Sequence, residues 1–257
     1  MIPKIIHYTW FSGESFPDTI QKCITSWQQV MPEYQFVCWD SERIKVIDSY
    51  WLNESIAEKK WAFAADLVRL YAVYNFGGIY LDTDCFVYKS FDDLLSLHCF
   101  IGKESSIHVA GRSTQMYLTS HCFGAEKGNS FIGRCLSYYD NRHFVVSSDA
   151  TLPMQLRYSA LLLPFIQSEL AKQIGYNPYP SMDEIQGLKD VTVFPPRYFD
   201  VTKITNDAYC KHLALGGWRD SRTPDEIPTL GYKIRWRVEK LLRNVLNRFG
   251  YMIIKKQ

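Results

Sequence analysis

Residues 65–84, ADLVRLYAVYNFGGIYLDTD, constrain the fold more than any other part of the chain. Phe63, Leu67, Leu70, Tyr71 and Tyr74 recur every three or four residues, which predicts a helix over 59–74. Gly77 and Gly78 then stop the helix and turn the chain. Residues 79–81 read as a short strand that carries Asp82 and Asp84 to its end. A helix that feeds a strand through two residues belongs to a layered α/β sheet, and such sheets bind ligands beyond the carboxyl ends of their strands.

The flanking segments repeat the alternation. Residues 2–10 are strand-like, Pro17 opens a helix through Trp27 that ends before Pro32, and residues 34–39 form a second strand. Asp40 and Ser41 offer an N-cap for the next helix. Strand, helix, strand and helix at this spacing predict a mostly parallel central sheet flanked by helices. Further on, 85–150 read as mixed short strands and turns. A helix is expected over 156–174, interrupted by Pro164, and one strand over 191–194 within Pro- and Tyr-rich loops.

With 257 residues, 47% of them hydrophobic, the chain supports one large domain with a substantial core. A net charge of +2 gives no reason to expect a nucleic-acid partner. Seven cysteines without a CxxC pair argue against a zinc site. The odd count, and the absence of a leader or a spanning apolar run, lead us to expect reduced thiols and a cytoplasmic location. After Gly231, eight Lys and Arg face the single Glu239, and Ile234, Val238, Leu241, Leu242, Val245 and Phe249 share one helical face. We therefore divide the chain into a catalytic domain, 1–230, and a basic amphipathic helix, 231–257. That helix either lies on an anionic membrane surface or packs on the body.

Asp82 and Asp84 suit a divalent cation with oxygen preference, Mn²⁺ or Mg²⁺, because two unpaired carboxylates this close repel one another. An isolated Asp-X-Asp also occurs in ordinary acidic turns. Asp66 and Arg69 share a helix face; they form either a surface ion pair or a pair that holds sugar hydroxyls and phosphate. Trp10 is either core or a stacking platform, and His212 on residue type alone is a surface histidine.

Four segments together, IPKIIHYTWF at 2–11, SWQQVMPEYQFVCWD at 26–40, ADLVRLYAVYNFGGIYLDTD at 65–84 and HLALGGW at 212–218, resemble glycosyltransferase family 32. The likeness is strong over 2–95, patchy afterwards, and returns at 212–218. It implies a GT-A fold, a metal-dependent hexosyltransferase and retention at the anomeric carbon. The donor would be a nucleoside diphosphate sugar, with UDP favoured. The family this chain resembles holds bacterial capsule and lipopolysaccharide enzymes and eukaryotic α-mannosyl-, α-galactosyl- and α-N-acetylglucosaminyltransferases. The acceptor would be a glycan or lipid-linked glycan, with O-antigen or capsule favoured, and the basic tail would put the enzyme at the inner face of the cytoplasmic membrane. Carried over residue by residue, Thr9 and Trp10 would meet the base, Asp66 and Arg69 the donor sugar, and Tyr80 the nucleotide. Asp82 would contact ribose or metal, Asp84 and His212 would bind metal, and Trp218 would close over the diphosphate.

The chain departs from the family pattern at three places. Gly217 stands where the family has Ser, His121 where it has Asn, and Asn129-Ser130 where it has His-Pro. His121 and Gln155 are secondary nominations for the cleft. Two other activities fit parts of the pattern. An Asp-X-Asp phosphatase would need a following small-Thr pair, and Cys85-Phe86 stand there instead. A non-catalytic binder would have lost Asp82, Asp84 or His212.

Overall fold

Two parallel strands and one buried helix set the frame. The computed structural model describes residues 1–110, 113–159, 161–181 and 183–215, together with residue 245. β1 (Ile5–Thr9) pairs in parallel with β2 (Gln35–Trp39) and with β3 (Gly78–Leu81). Between them run α1 (Asp18–Val30), α2 (Tyr50–Ala57) and α3 (Trp61–Phe76). The full sheet has seven strands in the order β2-β1-β3-β6-β5-β8-β7. β5 (Cys99–Ala110), β6 (Ser113–Ala125), β7 (Gln186–Gly187) and β8 (Thr192–Phe194) complete it. β6 and β7 run against the other five strands. The α/β class with a mostly parallel central sheet is therefore as expected. No described helix is long and apolar enough to cross a membrane.

The expected elements shift in detail. Asp40 does cap a turn, its Oδ1 accepting from the N–H groups of Glu42 and Arg43, but that turn is the short 3₁₀ segment Arg43–Val46. The helix proper starts ten residues later, where the Ser49 hydroxyl accepts from Leu52 N–H. Pro164 begins α6 (Leu163–Lys172) instead of interrupting a longer helix, since proline fits the first turn and breaks the interior. The short helix α5 (Met154–Arg157) precedes it. The mixed strands expected over 85–150 are mainly one long hairpin, β5–β6, followed by α4 (Ser130–Ser137). Asn129, where the family has His, caps α4 through Oδ1 to Phe131 and Ile132 N–H. Trp218 and the helix expected over 231–257 lie outside the described residues, except residue 245.

Helix α3 is buried on most sides, with Ala64 to Leu70 all in the interior. Its exit is tied down by His7 on β1. The Trp39 indole N–H donates to His7 Nδ1 at 3.1 Å, and His7 Nε2–H donates to Gly77 O at 2.9 Å. Burial lowers the His7 pKa, so this imidazole is a neutral fixture of the core. Gly78 sits at φ +107°, and a Cβ there would meet Ile5 O at 2.7 Å. Both backbone strain and that contact with the sheet backbone oppose a side chain. Gly78→Ala should cost about 2 kcal/mol or more in urea unfolding. A loss under about 0.5 kcal/mol would show that β1 gives way freely.

Candidate active site

The strand alternation sends Tyr80 and Asp82 to the same side at the carboxyl end of β3. Thr9, at the matching end of β1, lies with its hydroxyl 3.2 Å from the Tyr80 hydroxyl. Tyr80 O–H in turn reaches Asp82 Oδ1 at 2.8 Å. The Asp82 backbone N–H donates to His121 O on β6, which fixes where the strand ends. Cys85 N–H then donates to Asp82 O, and the tight turn presents Asp84.

His212 reaches this edge by strand pairing. β4 (Cys85–Val87) pairs antiparallel with β9 (Cys210–His212), with Cys85 opposite His212. His212 Nε2 lies 3.2 Å from Asp84 Oδ1, and Leu215 N–H donates to Asp84 Oδ2 at 3.0 Å. Stacked rings of Phe91, Phe100, Phe199 and Tyr209 hold β9 and α7 (Pro196–Phe199) against the sheet. Burial pushes the Asp84 carboxyl up, yet His212 and the Leu215 N–H outweigh it and the net shift is downward. Burial likewise lowers the His212 pKa, but its hydrogen bond to Asp84 prevails and raises it.

Asp66 and Arg69 are not a surface pair: they are 6% and 4% exposed. Arg69 Nη2 lies 3.3 Å from Asp66 Oδ1 and 3.4 Å from Asp82 Oδ1. Its Nη1 donates to Ser120 O at 2.6 Å and its Nε to Ala65 O at 3.1 Å. The guanidinium also lies over the Tyr80 ring, 4.6 Å from the centroid. One cation thus joins the buried acid of α3 to the first acid of the Asp-X-Asp turn. The backbone N–H of Leu163, at the start of α6, pulls the Asp66 pKa down. Even so, burial pushes its pKa up to about 6, against the pull of Arg69 and with the help of Asp82.

That shift has a testable sign. The folded state favours protonated Asp66, so its stabilisation is full below the unfolded carboxyl pKa and is lost as pH rises through about 6. The buried, isosteric Asp66→Asn variant lacks this dependence. From pH 4 to pH 8 the variant should gain on wild type by an amount on the order of 3 kcal/mol in urea unfolding. Parallel stability curves for the two proteins would remove the shift.

The remaining nominated residues fall nearby or apart as follows. Trp10 is half-buried after β1, its indole N–H donating to Glu14 O at 2.7 Å and its ring against Phe16. Tyr80 is fully buried. His121 is buried, with Nε2–H donating to Phe199 O at 3.0 Å and its ring stacked on His212, centroids 4.4 Å apart. Burial, then the neighbouring His212, lower its pKa to about 4. Gln155 is buried in α5, on a different element from these contacts. Sequence reasoning missed Asp200, whose Oδ2 accepts from Ser105 N–H and Oγ–H. No spacing signal marks Asp200, because it meets the edge only through the packing of α7.

Donor atoms of Asp82, Asp84 and His212 all lie within 4.8 Å of one another. Two carboxylates and an imidazole suit Mn²⁺ or Mg²⁺, so the side chains present fit the cation expected from the sequence.

Residues 17–101 match the family described as "Glycosyltransferase sugar-binding region containing DXD motif". The chain is 28% identical over 135 residues to inositol phosphoceramide mannosyltransferase 3 of Schizosaccharomyces pombe, 51% of this chain and 35% of that protein. It is 28% identical over 117 residues to mannosyl phosphorylinositol ceramide synthase SUR1 of Saccharomyces cerevisiae, 43% of this chain and 30% of that protein. The chain thus spans about a third of the length of these curated relatives. Among solved structures, the PaToxG glycosyltransferase aligns over 67% of this chain and 69% of its own, at 18% identity and a TM-score of 0.44. The Asp-X-Asp turn, with the helix that feeds it, lies in the part of this chain that is similar to the sugar-binding region of glycosyltransferases, and it is set on a mixed α/β sheet.

Proposed function

We propose that this chain moves a hexose from a nucleoside diphosphate sugar to a hydroxyl of a glycan or lipid-linked glycan, with retention at the anomeric carbon. The observation that carries this reading is the convergence of Asp82, Asp84 and His212 beside the buried Asp66–Arg69 pair. In this reading Asp82, Asp84 and His212 hold a divalent cation, which when bound would offset charge on the departing diphosphate. Arg69 keeps Asp82 aimed at that edge and adds positive charge beside it. Asp66 accepts hydrogen bonds from donor-sugar hydroxyls, while Thr9, Trp10 and Tyr80 line the nucleotide and Trp218 covers it. Positioning by these groups supplies most of the rate, and a leaving phosphate oxygen takes the acceptor's proton in a front-face displacement.

UDP is the nucleotide expected from the sequence. The mannosyl and inositol phosphoceramide terms in the names of the two fungal relatives favour a second donor, a nucleoside diphosphate mannose, and an anionic lipid acceptor. Bacterial-type surface polysaccharide remains the alternative acceptor class. The excess of positive charge after Gly231 suits either acceptor at an anionic membrane face, where we place the enzyme as a peripheral protein.

Thermal unfolding with UDP-glucose, UDP-galactose and GDP-mannose, each with and without Mn²⁺, separates these readings. At about a hundred times its Kd, a donor stabilises by about 2.7 kcal/mol, a shift of roughly 5–10 °C for a domain of this size. One donor should produce that shift only together with Mn²⁺. If no nucleotide shifts the melt, or if inorganic phosphate is the only product released, the transferase reading fails.

A further inference from the structure

Behind the Asp-X-Asp turn lies a second set of ligand-type side chains. Donor atoms of His121, Asp200 and His212 also lie within 4.8 Å of one another. They come from three separate elements: β6, the residue after α7, and the end of β9. Two imidazoles and one carboxylate differ in kind from the two carboxylates and one imidazole at the edge. Nitrogen donors favour borderline ions such as Zn²⁺ over Mg²⁺ or Mn²⁺.

We propose that His121, Asp200 and His212 form a second divalent-cation position, selective for Zn²⁺, adjoining the Asp82–Asp84 edge and competing with it for His212. His121 and Asp200 each have one polar atom fixed by a neighbour and another left over. The Phe199 carbonyl can only accept, so His121 Nε2 carries the hydrogen and Nδ1 carries the lone pair. A backbone carbonyl on the far nitrogen is the usual support of a metal-bound histidine. Asp200 is anchored through Oδ2 by both the N–H, at 2.6 Å, and the hydroxyl, at 2.8 Å, of Ser105, which leaves Oδ1 for another partner. The His121 and His212 rings stack at 4.4 Å with 17° between their planes, so the two imidazoles are neighbours, and one ring turns about its side-chain bonds to aim both in-plane lone pairs at one ion. Zinc holds its ligands at about 2.0–2.2 Å, and three donor atoms already this close reach it by side-chain rotation, without movement of the backbone.

His212 belongs to both sets, and its Nε2 faces Asp84. A neutral imidazole has one lone pair, so an ion taking His212 at one position withdraws it from the other. The position is therefore a place where zinc can weaken Mn²⁺ binding without touching the nucleotide. This inference does not depend on sugar transfer, since its readout is the ion alone.

The test measures Zn²⁺ on the full chain by competition with a chromophoric chelator, and Mn²⁺ by loss of its free-ion paramagnetic resonance signal. Wild type should bind Zn²⁺, and His121→Asn and Asp200→Asn should each weaken it at least tenfold. Asp84→Asn should leave Zn²⁺ within threefold while Mn²⁺ binding is lost; His121→Asn and Asp200→Asn should retain Mn²⁺. Unchanged zinc affinity in His121→Asn and Asp200→Asn overturns the proposal. Zinc lost only in Asp84→Asn also overturns it, since zinc would then merely occupy the edge. Should a variant fail to fold, X-ray absorption of zinc-loaded wild type decides: two imidazoles per zinc are expected, and one refutes the assignment.

Discussion

Asp84→Ala should lower turnover of the nucleotide-sugar donor by about a thousandfold, about 4 kcal/mol in the barrier, and should abolish its response to Mn²⁺. The carboxylate is half shielded, accepts from Leu215 N–H and His212, and stands at the turn leaving β3. Its loss removes an anionic donor from a set of three, which a neutral methyl cannot replace. The fold should survive. Asp84 packs at an edge, not inside the core clusters, and the cost in urea unfolding should be about 1 kcal/mol, that of one or two hydrogen bonds. Steady-state kinetics across a Mn²⁺ titration, beside the unfolding curve, check both halves. Turnover within a few-fold of wild type would take Asp84 out of the chemistry.

Arg69→Met should have the largest effect on stability. The side chain serves Asp66, Asp82, Ser120 O and Ala65 O at once and is nearly inaccessible to water. Methionine fills much of the volume but leaves two carboxylates facing one another with no cation. Breaking a buried pair in this way costs about 3–5 kcal/mol, a large part of the 5–15 kcal/mol that holds a typical domain together. Arg69→Lys should do less harm to charge and almost as much to geometry, because an ammonium cannot serve four acceptors in a planar fork. Adding Asp66→Asn to Arg69→Met should restore part of the loss, since one of the orphaned charges is then gone. Urea unfolding of the three variants gives these values. A loss under about 1 kcal/mol in Arg69→Met would mean that water already solvates the pair.

What could be read without coordinates follows from local chemistry. The apolar spacing of α3, the Gly77–Gly78 exit and the two acids after β3 are all written within some twenty neighbouring residues. Periodicity and turn chemistry act over that range, so the class of fold and the acidic edge were legible. The long β5–β6 hairpin was not, because its strands carry no clean alternation and its pairing register is irregular. The start of α6 was misjudged because a proline can open a helix as well as break one.

The site divides in the same way. Asp82, Asp84, Asp66 and Arg69 were available from the chain because two turns of one helix and one strand carry them. Whether Asp66 and Arg69 faced water was open, and tertiary packing decided it by closing α3 between its neighbours. His212 and Asp200 come to the edge through the β4–β9 pairing and the aromatic stack under α7, contacts between segments about a hundred residues apart or more. Local sequence preferences specify which residues form a turn; the distance between two turns is settled only when the core between them is packed.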